Sequence, residues 1–344
     1  MTDNKTKKPR RLALKILFLI VLVVASVIII SRQRNTPYQH NTGFIFGTIY
    51  NVSYQSSRDL QPEIEAELRR VDASLSPFNK QSIITAVNNN RSVKLDDKFT
   101  EVFSLAEKIS KETDGAFDIT VAPLVNEWGF GFKTGVPPTR HVIDSLRAIV
   151  GYQKVRLTDG VIHKADPRVM LDCSAIAKGY GSDCVARLLR SHGIDNFMVE
   201  IGGEVVTSGI NPDRVPWRIG VTKPVDDSTQ VNQELQTVLN VTDKAMATSG
   251  NYRNFYYKGG RKFAHTIDPK TGYPIQHNIL SATVIADDCA TADAYATSFM
   301  VLGLNGAKRI LKRHPELMAY LIYSDDKGKN QVWFSPSLKN KIVK

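Results

Sequence analysis

Two short segments concentrate the residue types that could do chemistry. His265-Thr266-Ile267-Asp268-Pro269-Lys270-Thr271-Gly272-Tyr273-Pro274 is an imidazole feeding a rigid turn. Pro269 fixes its own φ, and Gly272 is free to take a positive φ. Ala290-Thr291-Ala292-Asp293-Ala294-Tyr295-Ala296-Thr297 reads as a helix start built from small residues. Asp293 and Thr297 stand four apart, on one helix face. A carboxylate beside a hydroxyl, among small residues that let a ligand approach the backbone, suits a hard cation such as Mg²⁺. Each segment also has a plain structural role open to it. Asp-Pro-x-Thr-Gly commonly makes a turn, and an Asp near a helix start commonly acts as a cap or dipole partner.

The elements that must position these residues alternate along the chain. A strand is expected over Phe44–Ser53, interrupted at Gly47-Thr48. Ile64, Leu68 and Val71 form the stripe of an amphipathic helix over Glu63–Ser74. Further helices are expected over Thr100–Asp114, stopped by Gly115, and over His141–Val150, stopped by Gly151. Val169–Asp172 is expected as a short strand delivering Asp172 at its tip, with Ser174 as the cap leading into a helix over Lys178–His192. Phe197–Ile201 and Val205–Ser208 flank Gly202-Gly203 as a hairpin. Leu280–Ala286 is a strand before a helix over Ala290–Leu302, with Gly303 beyond. Met318–Tyr323 and Gln331–Phe334 close the chain as strands. Strands adjacent in sequence and mixed with helices predict an α+β or mixed α/β fold, not a strict parallel series.

The 344 residues, 42% hydrophobic and 23% charged, are globular in composition. The net charge of +11 is unevenly spread. Residues 1–34 carry Lys5, Lys7, Lys8, Arg10, Arg11, Lys15, Arg32 and Arg34 against Asp3, a surplus of +7 that leaves only +4 for the rest. A body so near neutrality gives no reason to invoke nucleic acid. The basic cluster instead flanks an apolar run from Leu12 to Ile30. As a helix this run rises about 28 Å, close to the hydrocarbon thickness of about 30 Å. The expected organisation is a cytoplasmic basic N-terminus (1–11), a transmembrane anchor (12–30), a polar linker (31–43), a catalytic body (44–336) and a basic tail (337–344). The Lys/Arg flank orients the N-terminus inward and the body outside the cytoplasmic membrane, in the periplasm. A signal peptide cut after Val23-Val24-Ala25 is the rival, but Val27-Ile28-Ile29-Ile30 carries the apolar run past that point.

Common motifs are missing. Gly328-Lys329 is followed by Asn330, which denies a P-loop, and Gly179-x-Gly181 meets Cys184 where a dinucleotide fingerprint needs its third glycine. Cys173, Cys184 and Cys289 have no Cys-x-x-Cys spacing and are expected as buried thiols. The seven histidines are scattered, without a metal-binding pair.

Companion segments change the weight of the opening pair. Phe46-Gly47-Thr48, Ser74-Leu75-Ser76-Pro77-Phe78, Asp114-Gly115-Ala116-Phe117-Asp118-Ile119-Thr120, Trp128-Gly129-Phe130-Gly131, Leu171-Asp172-Cys173-Ser174-Ala175-Ile176-Ala177-Lys178-Gly179-Tyr180, Glu200-Ile201-Gly202-Gly203-Glu204 and Ala247-Thr248-Ser249-Gly250-Asn251-Tyr252-Arg253 precede it in this order. Together they closely resemble the ApbE family of extracytoplasmic FAD:protein FMN transferases, over about residues 43–336. The resemblance implies a flavoprotein-type transferase that uses Mg²⁺ and FAD to attach FMN, through its phosphate, to a Thr or Ser hydroxyl of an exported or membrane acceptor flavoprotein, with AMP leaving. By similarity, Asp293 and Thr297 side chains and the backbone carbonyls of Ala175 and Ala296 bind the metal. Phe78, Ala116, Phe117, Asp118, Asp172, Lys178 and the backbone at Phe46 and Ile267 match positions that hold FAD. Lys178 suits a phosphate as a point charge, and its place at a helix start is unfavourable unless an anion is nearby. Phe78 suits stacking on a flavin or adenine ring, or equally an ordinary core position. His265 is the candidate base for the acceptor hydroxyl, against a role in orienting the Asp268 turn.

The chain departs from the family in Phe46, where Met is frequent, in Cys173 after Asp172, and in its helical anchor in place of a lipidated Cys. Two rival functions share the scaffold: an FAD pyrophosphatase releasing FMN and AMP, and a non-catalytic FAD-binding protein.

Overall fold

The apolar run that opens the chain folds as one helix, α1 (Lys7–Asn35). The computed structural model describes the backbone of residues 7–131, 137–225, 234–252, 255–258 and 261–343. The described α1 side chains, residues 12–27, are all exposed. No helix among the described residues is long and apolar enough to cross a membrane, a statement that for α1 covers the side chains of 12–27.

Beyond α1 come β1 (Tyr38–Ile45), β2 (Thr48–Gln55), α2 (Gln61–Leu75), α3 (Ile83–Asn88), α4 (Asp97–Glu112), α5 (Ala122–Glu127), α6 (Arg140–Arg147), β3 (Val155–Thr158), β4 (Val161–Lys164) and α7 (Ala177–Ser191). The second half continues with β5 (Phe197–Ile201), β6 (Glu204–Ser208), β7 (Arg218–Thr222), β8 (Leu235–Asn240), β9 (Ala245–Gly250), β10 (Phe255–Lys258), β11 (Arg261–Ala264), β12 (Ile279–Ala286), α8 (Cys289–Arg313), β13 (Met318–Ser324) and β14 (Asn330–Phe334).

The interruption expected at Gly47-Thr48 is a reversal. Phe46 (φ 51°) and Gly47 (φ 76°) both take positive φ, the backbone of a two-residue hairpin turn matched to strand twist. This corrects the linker expected over 31–43, since α1 reaches Asn35 and β1 starts at Tyr38. The strand is polar because it is an edge strand with an exposed face, so its composition imitates a linker. Val169–Asp172 is not a strand. Its ladder partner is replaced by the Asn88 side chain, which accepts from the Leu171 N–H at 2.7 Å and donates to the Leu171 carbonyl at 2.9 Å.

Eight strands join one sheet in the order β1-β2-β5-β6-β9-β12-β13-β14, every neighbouring pair antiparallel. The mixed α/β architecture thus has an antiparallel centre. Alternation along β13 shows how it is covered. Ala319 and Leu321 face the core shared with α8 and α4, whereas Met318, Tyr320 and Ile322 face Val221 and Leu239 of the β7–β8 ribbon. Burial on both faces gives this strand its near-continuous apolar sequence. The tail does not hang free. Leu338 is fully buried in the same cluster, and Val343 N–H donates to the Val238 carbonyl at 2.9 Å.

α8 breaks where a stop was expected, at Gly303 (φ 70°, ψ 176°), and then resumes to Arg313. The three cysteines are all buried and free. Burial raises all three thiols above their ordinary range, so none is a ready thiolate.

Candidate functional site

The start of α7 lies against the start of α8 without side chains between them. A Cβ on Gly179 would stand 2.4 Å from the Cys289 carbonyl oxygen. This approach brings Lys178, at the second position of α7, beside Asp293 in the second turn of α8. Lys178 Nζ lies 2.6 Å from Glu204 Oε1, at the head of β6 beyond the Gly202-Gly203 turn. The anion that a lysine at a helix start requires is therefore, in the first instance, a protein carboxylate.

Asp293 is nine-tenths buried and more, at 3% exposure, and accepts the Gly179 N–H through Oδ2 at 3.2 Å. It is not the cap of its own helix, which is Asp288, accepting from Thr291 N–H at 2.8 Å. Glu204 is 2% exposed, and its Oε2 has no hydrogen-bond partner among the described residues. Burial raises the Asp293 and Glu204 carboxyls, and Lys178 opposes that rise. Burial alone would lower Lys178, but Glu204 and Asp293 overcome it and hold the ammonium above its usual range. One turn beyond Asp293, the Thr297 hydroxyl lies 3.0 Å from Ser249 Oγ on β9.

These groups stand on the wall of one cavity of about 1020 Å³. Phe46, Phe78, Ala116, Phe117, Asp118, Asp172, Ala175, Lys178, His265, Ile267, Asp293 and Thr297 all line it. Ala296, the remaining candidate, is fully buried and does not reach the cavity wall.

Each lining residue is placed by a local cause. Asp118 caps the turn Ile119–Val121, its Oδ1 accepting from Thr120 N and Oγ1 at 2.8 and 2.7 Å and its Oδ2 from Tyr152 N–H at 2.7 Å. Both oxygens are occupied by protein donors, so Asp118 shapes the wall. Asp172 accepts from Ser174 N and Oγ at 2.8 and 2.5 Å, which corrects the expected cap: Ser174 turns back to Asp172, and Ile176 holds the N-cap position of α7. Phe78 stands at the rim, 65% exposed, and is not a core aromatic. Phe46 sits in the hairpin turn with its ring over α7, where a Cβ on Gly181 would meet it at 2.8 Å.

His265 follows β11 and faces the same cavity, its ring 6.5 Å edge-on from Phe130. The turn after it forms as expected. Gly272 has φ 76°, its N–H donates to the Asp268 carbonyl at 2.8 Å, and its own carbonyl accepts from Trp128 Nε1 at 2.8 Å. Asp268 Oδ1 takes the Lys270 N–H at 2.9 Å. The Asp268 turn is thus built by its own backbone, its Asx side chain and Trp128, a scaffold that accounts for its shape.

Sequence reasoning named Glu204 and Ser249 only as members of motifs and gave them no task. The one signal for Glu204 was its place directly after a Gly-Gly turn. Asp183, which binds the start of α8, carried no signal at all. Among the described residues no three His, Cys, Asp or Glu side chains are grouped to hold a metal.

Fold and site define a class: a mixed α/β protein with a large cavity walled by the first turns of two touching helices, a lysine of one, an aspartate of the other and a glutamate at the head of β6. A sequence model of the ApbE family matches residues 46–322, and the chain belongs to the ApbE family. It is 36% identical over 318 residues to the FAD:protein FMN transferase of Vibrio cholerae serotype O1, covering 89% of this chain and 94% of that one. It is likewise 36% identical over 326 residues to the enzyme of that name from Haemophilus influenzae, covering 90% and 93%. The solved flavin transferase ApbE from Vibrio cholerae superposes with a TM-score of 0.79 at 35% identity, over 89% of this chain and all of that one. The apo flavinyl transferase ApbE of Pseudomonas stutzeri gives 0.79 at 30% identity, over 89% and 96%.

Proposed function

We propose that this protein is an FAD:protein FMN transferase, joining FMN to a Thr or Ser hydroxyl of an acceptor protein through a phosphoester bond. The observation that carries it is the convergence of Lys178, Asp293, Thr297 and His265, from three separate segments, on one cavity large enough for a dinucleotide. The acceptor oxygen attacks the phosphorus of the FMN half of FAD. The pyrophosphate P–O bond breaks, AMP leaves with the bridging oxygen, and the hydroxyl proton passes to His265.

Lys178 presents its ammonium to the pyrophosphate, held in place and kept charged by Glu204. Asp293 and Thr297, with the carbonyl of Ala175, offer an all-oxygen donor set that fits Mg²⁺. One protein carboxylate is within the one or two that a Mg²⁺ site shared with substrate phosphates uses. Bound there, Mg²⁺ would neutralise charge on the pyrophosphate and the departing AMP. The burial of Asp293 with a raised carboxyl supports this, because a cation relieves the cost of ionising it.

The basic flank and apolar run of α1 support a membrane anchor, with the cavity outside the cytoplasm and the acceptor an exported or membrane flavoprotein.

The decisive experiment incubates the detergent-solubilised full chain with FAD, Mg²⁺ and a Thr-bearing acceptor, using the Thr→Ala acceptor as control. Intact-mass spectrometry is expected to show gain of FMN by the acceptor and AMP in solution. FMN and AMP without acceptor gain is the hydrolase outcome, and FAD bound but unbroken is the binding-protein outcome.

A further inference from the structure

The first turn of α8 is capped from two directions. Asp288, its own N-cap, serves Thr291 N–H through Oδ1 and Ala292 N–H through its carbonyl, at 2.8 and 3.2 Å. The two amides before them turn to α7 instead. Cys289 N–H lies 2.8 and 3.0 Å from the two oxygens of Asp183, and Ala290 N–H donates to Oδ2 at 2.9 Å. Asp183 is 8% exposed and does not line the cavity.

The return contact runs the other way. α7 starts at Ile176 with no side-chain cap of its own, and its Gly179 N–H donates to Asp293 of α8. Each helix thus supplies the carboxylate that caps the other, across a backbone contact so close that only glycine fits at 179. The position of Asp293 relative to Lys178 depends on how these two helix starts seat.

We propose that Asp183 is a positioning residue: through the Cys289 and Ala290 amides it seats α8 so that Asp293 and Lys178 face the cavity in register. By linkage, a ligand that uses this register must tighten the Asp183 contact in return. Asp183→Asn keeps the shape but turns an N–H₂ toward the Ala290 N–H, so one of the two oxygens is lost as an acceptor.

The test is residue-resolved amide hydrogen exchange on the full chain, with and without FAD. In the wild type, saturating FAD is expected to slow exchange at Cys289 and Ala290 at least tenfold. In Asp183→Asn, exchange at Gly179, whose N–H is held by Asp293 of α8, is expected to rise at least tenfold with far-UV circular dichroism unchanged. kcat should fall at least tenfold with Tm little changed, and the Asp183→Asn/Asp293→Asn double variant should be no slower than Asp293→Asn alone, because the first residue acts through the second. A residue with a purely structural role would lower Tm yet leave Gly179 exchange and kcat at wild-type values, and that result overturns the proposal. Should Asp183→Asn not fold, the wild-type arm decides: Cys289 and Ala290 exchange unmoved by bound FAD overturns it. The turnover arm rests on the flavin-transfer reading, and the wild-type exchange arm on FAD binding. If FAD does not bind, that reading fails, and the Gly179 response in Asp183→Asn alone decides the positioning role.

Discussion

At the scale of single residues, the half-buried Lys178 and the buried Glu204 and Asp293 carry an uneven balance, one cation against two carboxyls. Asp293→Ala removes the one carboxylate in the candidate cation site. Turnover is expected to fall on the order of 10²-fold or more, the usual effect of losing a buried electrostatic stabiliser, and excess FAD should not restore it. Steady-state AMP release measures this, with Tm as a control for the lost Gly179 contact; wild-type turnover would remove Asp293 from the chemistry. Glu204 makes a pH prediction. Its carboxyl is raised by burial against the pull of Lys178, with Asp293 raising it further, so the folded state holds a proton that the unfolded chain has already lost. Unfolding free energy then falls as pH rises from the ordinary glutamate range through the raised one. Tm should decline across that window, and Glu204→Gln should flatten the decline. An unchanged slope would show that Glu204 titrates normally. His265, Asp293 and Thr297 were legible from residue type and spacing. Glu204 was not, because its significance lies in an oxygen left without a partner, which no local pattern records.

At the scale of elements, the α7–α8 contact is the feature on which the site depends. Gly179→Ala would place a methyl group against the Cys289 carbonyl and the Ala290 amide, both rigid backbone. Overpacking of this kind costs about 1–3 kcal/mol. Thermal denaturation should show a lowered Tm, and weaker FAD binding should accompany it as the helix starts part. A variant with wild-type Tm would mean that the two helices separate without penalty. The amphipathic stripe of α2 and the strands β5, β12 and β13 were readable, since their apolar periods follow directly from the faces they bury. The segment 169–172 misled because its extended backbone is satisfied by Asn88, a partner distant in sequence. β1 was hidden by an edge strand's polar composition.

At the scale of the whole molecule, a continuous sheet from β1 to β14 builds segments as far apart in the chain as Tyr38–Ile45 and Asn330–Phe334 into one body. Only Thr36 and Pro37 separate α1 from β1, so a membrane anchor would hold the catalytic body close to the bilayer. On the proposed topology, in which the Lys/Arg-rich flank would keep the N-terminus inside, an alkaline-phosphatase fusion placed after Thr36 is expected to be active in a bacterial host. A silent fusion, alongside an active cytoplasmic reporter at the same point, would reverse the orientation.

The sequence by itself determined the family, through ordered segments along most of the chain, together with the fold class, the helix and strand periods and a set of candidate residues of which all but Ala296 line the cavity. These are properties of local pattern, and a linear chain displays them. Only the tertiary structure decided that Lys178 meets Glu204, that Asp293 caps α7 instead of α8, and that Asp183 binds α8. Those contacts span 26, 114 and 106 positions of chain. The last two exist because a glycine lets two helix backbones touch, which brings buried amides and carboxylates within reach of partners that no nearby residue could supply.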